Sequence, residues 1–270
     1  MRTRSPRARH RTPLLAGVAV AVLALAGYGG LRLLTHESSE PASVSAALAR
    51  FRTLAPAGRT LPAQLRDRVP QPGVYVYATR GFEVSHVLGT RRHRYPQRTT
   101  VTVSVTPHGC VRTRWDALAT RYDATLACLG GGAPRLVNQS EEHEFAGHVD
   151  RRAYRCTPSS AGGPATLAAG ARWHSRCAID GTTTVDDGVV LGTRALALDG
   201  ARTRTVLLRT STHVSGDTVG AGTTFSWVLP RTRLLVLRTI ANASTTRTIV
   251  GDVRYEERAT LTLTSGRPLR

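Results

Sequence analysis

The residues with the most to offer chemistry lie between Glu141 and His148, where His143 and His148 flank Glu144, Phe145, Ala146 and Gly147. A zinc-protease helix sets its two histidines four apart so that both reach one metal. A spacing of five on a strand or loop sends the side chains apart. Glu141, Glu142 and Glu144 therefore read as a solvated edge, and the histidines as exposed. The glycine-rich run from Gly216 to Gly222 lacks the Lys-Ser/Thr and the helix that a phosphate loop needs, so it reads as a hairpin turn. No G-x-S-x-G elbow is present, and cysteines held in disulfides are poor nucleophiles. The expectation is no catalytic residue, no metal and no cofactor. A hydrolase would have to assemble from scattered Ser, His and Asp side chains.

The densest basic cluster beyond the N-terminus is Arg91, Arg92, His93, Arg94 and Tyr95. Arg91, Arg92 and Arg94 are the candidate contacts for an anionic group, with Tyr95 to stack on or orient it; the alternative is a solvated loop. Trp115, Trp173 and Trp227 fall on expected strands and read as core residues.

Around these residues the composition is that of a globular, extracytoplasmic protein. The chain has 37 arginines and no lysine, which points to a GC-rich genome, and a net charge of +19. Six arginines precede residue 33 and no acid does, leaving 31 against 18 acids, or +13, for the remainder. Outside a membrane such a surface attracts anionic lipid or wall polymer, and that address argues against nucleic acid. The protein partner is not legible.

Basic residues 1–12 lead into an apolar stretch, 13–34, of roughly 20 residues, enough to span a bilayer. The positive-inside rule holds the N-terminus in the cytoplasm and sends the rest outside. Cleavage near Ala26 would release a secreted protein, but Leu31, Leu33 and Leu34 prolong the apolar run and favour a single-pass anchor. In that compartment Cys110, Cys128, Cys156 and Cys177 read as two disulfides among three possible connectivities, with the spacing favouring sequential pairing.

The elements that must position these residues are strands. Val44, Leu48 and Phe51 mark one short helix with Ser43 as its N-cap, and a Pro-rich linker completes residues 35–72. From residue 73 to 266 the period is two. Val101, Val103 and Val105 alternate with Thr100, Thr102 and Ser104, and the pattern returns at Val253, Tyr255, Ala259, Leu261 and Leu263. Turns at Gly130 to Gly132, Asp199-Gly200 and Ser215 to Asp217 divide it into ten to twelve antiparallel strands. The expected fold is all-β: an N-terminal transmembrane helix, one short helix, then a large antiparallel meander forming a curved sheet or half-barrel.

Gly73 to Thr79, Tyr95-Pro96 and Thr99 to Val105 before Gly109-Cys110 together resemble a group of actinobacterial membrane-anchored or secreted proteins without assigned function. More distantly, an exported meander behind a short helix is similar to half-barrel envelope proteins of the lipoprotein-carrier class. That resemblance implies an apolar concave face able to hold acyl chains. The leading reading is a non-enzymatic cell-envelope interaction or scaffold domain with a filled core. The alternative is a module holding a lipid or amphiphile in a cavity, with Arg91, Arg92 and Arg94 near its head. The third is a hydrolase with convergent His and acid side chains in a cleft.

Overall fold

The computed structural model describes residues 40–86, 89–130, 133–145, 148–248 and 251–270. The expected membrane segment lies outside them. No helix among the described residues is long and apolar enough to cross a membrane.

The alternating sequence forms a meander of thirteen strands: β1 (Gly73–His86), β2 (Thr90–Arg94), β3 (Arg98–Val105), β4 (Cys110–Leu118), β5 (Arg121–Gly130), β6 (Ala133–Phe145), β7 (His148–Cys156), β8 (Arg172–Ile179), β9 (Thr182–Leu198), β10 (Ala201–Gly216), β11 (Thr218–Val228), β12 (Leu235–Thr248) and β13 (Gly251–Leu263). The expected open sheet is instead a closed barrel. One edge of β1 pairs with β3 and then, further along, with β2, so these two make a single stave. The other edge pairs with β13 through ten residues, from Tyr77↔Leu263 to His86↔Arg254. Closure into twelve staves satisfies backbone groups that a half-barrel would leave bare on two long edges.

Eight strands enclose a space that side chains just fill, so twelve leave room. One end of this barrel is packed with Tyr75, Tyr77, Val101, Val103, Leu261 and Leu263. Leu61, Leu65 and Val69 complete that core, so the Pro-rich stretch expected as a tether is part of the folded body. Helix α1 (Val44–Thr53) lies outside the wall, capped by the Ser43 side chain accepting from the Ala46 N–H. Its buried residues are Ala47 and Phe51, which pack with Leu48 and Leu54 on Val74. Arg50 pins the helix to buried Asp116 on β4 at 2.7 Å.

The Asp199-Gly200 turn has positive φ at both residues, 52° and 78°, the combination a two-residue hairpin requires. It closes the sixteen-pair β9–β10 ladder. The neighbouring β7–β8 joint is very different. Only Arg155↔Ala178 and Cys156↔Cys177 pair there among the described residues. Beyond Cys156 the chain from Thr157 to Gly162 continues the stave, bonding β8 through Thr157 and Ala161 and β6 through Leu136 and Gly162. The other flank of β7, from His148 to Tyr154, has no strand beside it among the described residues. Disulfide Cys156–Cys177 closes the last pair of this joint, and Cys110–Cys128 crosses the β4–β5 pair.

Candidate functional site

Above the packed end the barrel holds a cavity of about 600 Å³. Alternation places its lining: Arg121, Asp123 and Thr125 from β5, Glu141 and His143 from β6, and Asp150, Arg152 and Tyr154 from β7 form a charged wall. The facing wall, from β10 to β13, carries small and hydroxyl-bearing residues such as Thr212, Val214, Ala221, Thr224, Ala243 and Val253, together with Arg238 and Glu257. The concave face expected as apolar from the half-barrel resemblance is therefore two-sided: Val214, Ala221, Ile240, Ala243 and Val253 line it on β10 to β13, while the residues alternating inward on β5 to β7 are mostly charged.

Glu83 and Glu257 sit directly opposite each other on β1 and β13, both buried, an arrangement that repels unless a cation intervenes. Arg121, only 3% exposed, supplies it by donating to Glu83 Oε2 at 2.5 Å and to Glu257 Oε1 at 2.9 Å. Around it Tyr95 Oη donates to Glu257 Oε1 at 2.8 Å, Tyr255 Oη to Glu83 Oε2 at 3.1 Å and Asn242 Nδ2 to Glu257 Oε2 at 3.2 Å. Burial pushes the Glu83 carboxyl up, but the Arg121 charge and the His93 and Arg121 hydrogen bonds outweigh it and hold Glu83 well below the usual carboxylate range. This cluster forms the cavity floor against Trp115 and Tyr95.

Higher on the charged wall, Asp123 and Glu141 are cross-strand partners and His143 follows two residues along β6. One ligand-type atom from each of the three lies within 4.8 Å of the others. Tyr154 Oη donates to Glu141 Oε1 at 3.1 Å, while Glu141 Oε2 faces His143 Nε2 at 3.8 Å. Burial raises the Glu141 carboxyl, yet the His143 hydrogen bond and charge bring it down to about 2. Burial and Arg121 lower the His143 imidazolium, and Glu141 and Asp123 turn the balance upward. Burial, with Glu257 and Glu141, raises Asp123 against the pull of Arg121. Arg152 donates to Asp150 at 2.8 Å and to Thr218 on β11 at 3.3 Å, spanning the open flank of β7 from inside.

Arg238 differs from the other cavity arginines. It forms no ion pair among the described residues, and its Nε donates only to Ser226 Oγ at 3.4 Å. Burial lowers its pKa, with Tyr77, Asp123 and Glu257 opposing.

The basic cluster singled out in the sequence does not converge. Arg92 and Arg94 are exposed, with Arg92 over the Phe82 ring, while Arg91 and His93 alternate to the other face of β2 beside Ser85 and Glu83. Tyr95 is buried in the Arg121 cluster and unable to stack on an exposed ligand. Sequence spacing does not single out Arg121, Asp123, Tyr154 or Arg238; a charged or hydroxyl-bearing residue in the inward register of an alternating strand is the signal that marks them. His143 and Glu141 meet Asp123 from the next strand, whereas Glu142 turns outward to Arg151.

No family model matches the chain, and no curated protein does. Among solved structures the chain is similar to the hypothetical lipoprotein YmcC from Escherichia coli (K12), at 14% identity and a TM-score of 0.36, over 87% of this chain and 100% of that one. At that score the likeness transfers no ligand or activity.

Proposed function

We propose that this chain is an extracytoplasmic binding barrel that takes a small amphipathic molecule bearing an anionic group into its cavity. The observation that carries this reading is a cavity of about 600 Å³ that holds Arg238 without an acid partner. That volume lies in the range of small-molecule sites, and an arginine with no direct acid contact gains a charge-assisted pair when a ligand supplies an anionic group. The Thr, Val and Ala side chains opposite accommodate the less polar part of the ligand. The scaffold reading expects a filled core, and the cavity counts against it. Two disulfides and the basic-apolar-polar order of the chain support an envelope location with the barrel outside.

The test is native mass spectrometry, with solvent extraction, of the full chain exported in a GC-rich bacterial host. One bound molecule per chain is expected, and Arg238→Gln should reduce its occupancy about tenfold or more. A clean ligand-free mass from cells and from envelope extracts would overturn the reading. Convergence of His143 with Asp123 and Glu141 favours, second, a barrel that hydrolyses its ligand. Product masses accumulating with time in the same spectra, and lost in Glu141→Gln, would establish it.

A further inference from the structure

We infer that Asp123, Glu141 and His143 form a binding site for one divalent transition-metal ion on the charged wall of the cavity. Their candidate ligand atoms all lie within 4.8 Å of one another. Ligand atoms around zinc at about 2.1 Å stand roughly 3–4 Å apart, so small side-chain rotations bring the three onto one ion. The backbone fixes the starting geometry, because Asp123 and Glu141 are paired across β5 and β6 and His143 shares their face two residues on.

Groups outside the triad orient its members as a second shell orients metal ligands. Tyr154 takes Glu141 Oε1 and leaves Oε2 toward His143. Arg121 Nη2 stands 3.5 Å from Asp123 Oδ2, which commits one oxygen of that carboxylate and leaves Oδ1 for the ion. The His143 ring is held edge-on by Tyr255, with centroids 5.7 Å apart.

Asp123 and Glu141 stand directly opposite each other across β5 and β6, and a cation between the two carboxylates relieves their repulsion. One imidazole nitrogen with two carboxylate oxygens suits zinc, manganese or iron(II) better than the all-oxygen shells of calcium and magnesium. Three protein ligands leave the remaining coordination positions to the cavity, the arrangement of an ion that also meets a bound molecule. The site does not depend on the cavity taking an organic ligand.

The experiment is calorimetric titration of the chelator-stripped full chain with Zn²⁺ alone, with zinc counted by elemental mass spectrometry after desalting. One zinc per chain is expected, weakened about tenfold or more by His143→Gln and by Glu141→Gln. His174→Gln, at the exposed His174–Asp187 pair, should leave the stoichiometry unchanged. Should His143→Gln lose its near-ultraviolet circular dichroism, the near-isosteric Glu141→Gln and Asp123→Asn variants carry the test. Absence of stoichiometric zinc, or equal affinity in the folded triad variants, would overturn the inference. A ligand-free but zinc-binding chain would sink the binding-barrel proposal and leave this one standing.

Discussion

Arg121 is one of 37 arginines, and nothing adjacent to it in sequence marks it out. Its importance comes from Glu83 and Glu257, which lie 38 and 136 residues away. Replacing it with methionine would leave two buried carboxylates face to face, and breaking a buried ion pair in this way costs about 3–5 kcal/mol. The pH dependence identifies the cause. Glu83 has a folded pKa below its unfolded value, so its contribution is present above about pH 4.5 and is lost as the pH falls toward the folded pKa. In Arg121→Met the two acids repel, and protonation should relieve them, so stability should rise as the pH drops. Urea midpoints measured between about pH 3 and 7 check this: wild type weakens toward acid, and the variant strengthens relative to it. Parallel profiles would refute the assigned role of Arg121.

At the scale of elements, the wall is uneven. β9 and β10 share sixteen pairs, β12 and β13 twelve, and β7 and β8 two among the described residues. Cys156–Cys177 therefore fastens the weakest joint, assisted from inside by Arg152 to Thr218 and by Gln139 to Asp186. Cys110–Cys128 instead crosses a ladder of eight pairs that hydrogen bonds already hold. Each disulfide closes a loop of about 20 residues and stabilises by about 3 kcal/mol in the chain-entropy model. Removing them should nevertheless differ locally. Cys156→Ser with Cys177→Ser should lose amide-exchange protection across 148–156 and 172–179 before the barrel unfolds. Cys110→Ser with Cys128→Ser should lose stability without such local opening. Uniform loss of protection in both variants would show that the seam is no weaker than the rest of the wall.

For the whole molecule, closure makes two charged surfaces. Asp123, Glu141, Asp150 and Glu257 line the cavity with Arg121, Arg152 and Arg238, while Arg92, Arg94, Arg112, Arg135, Arg155 and Arg176 are exposed outside. An exposed basic surface is screened within about 8 Å at physiological salt, so contact with anionic material should be strong only at low ionic strength. Association of the chain with phosphatidylglycerol vesicles should fall severalfold between about 0.03 and 0.3 M salt. Occupancy of the cavity, shielded by the wall, should change little. A cavity ligand lost in step with vesicle binding would place that ligand on the outer surface instead.

Much of the fold is legible along the chain because a strand's side chains alternate with period two, a property of each segment alone. Valines at 101, 103 and 105, the Asp199-Gly200 turn and the capped short helix all carry local signals, and they suffice for an antiparallel meander. Closure is not local. It depends on β1 finding β13 across separations of 168 to 186 residues, in a register that brings Glu83 opposite Glu257. The same holds for the site: His143 could be judged from its own neighbours only as the wrong spacing for a helix, whereas its companion Asp123 comes from the preceding strand. Which side chains share a face can be read along each strand, since that follows from local backbone geometry. Which of those faces enclose a cavity, and at what height their charges meet, emerges only on folding, because strand register and barrel closure arise from pairing between distant segments.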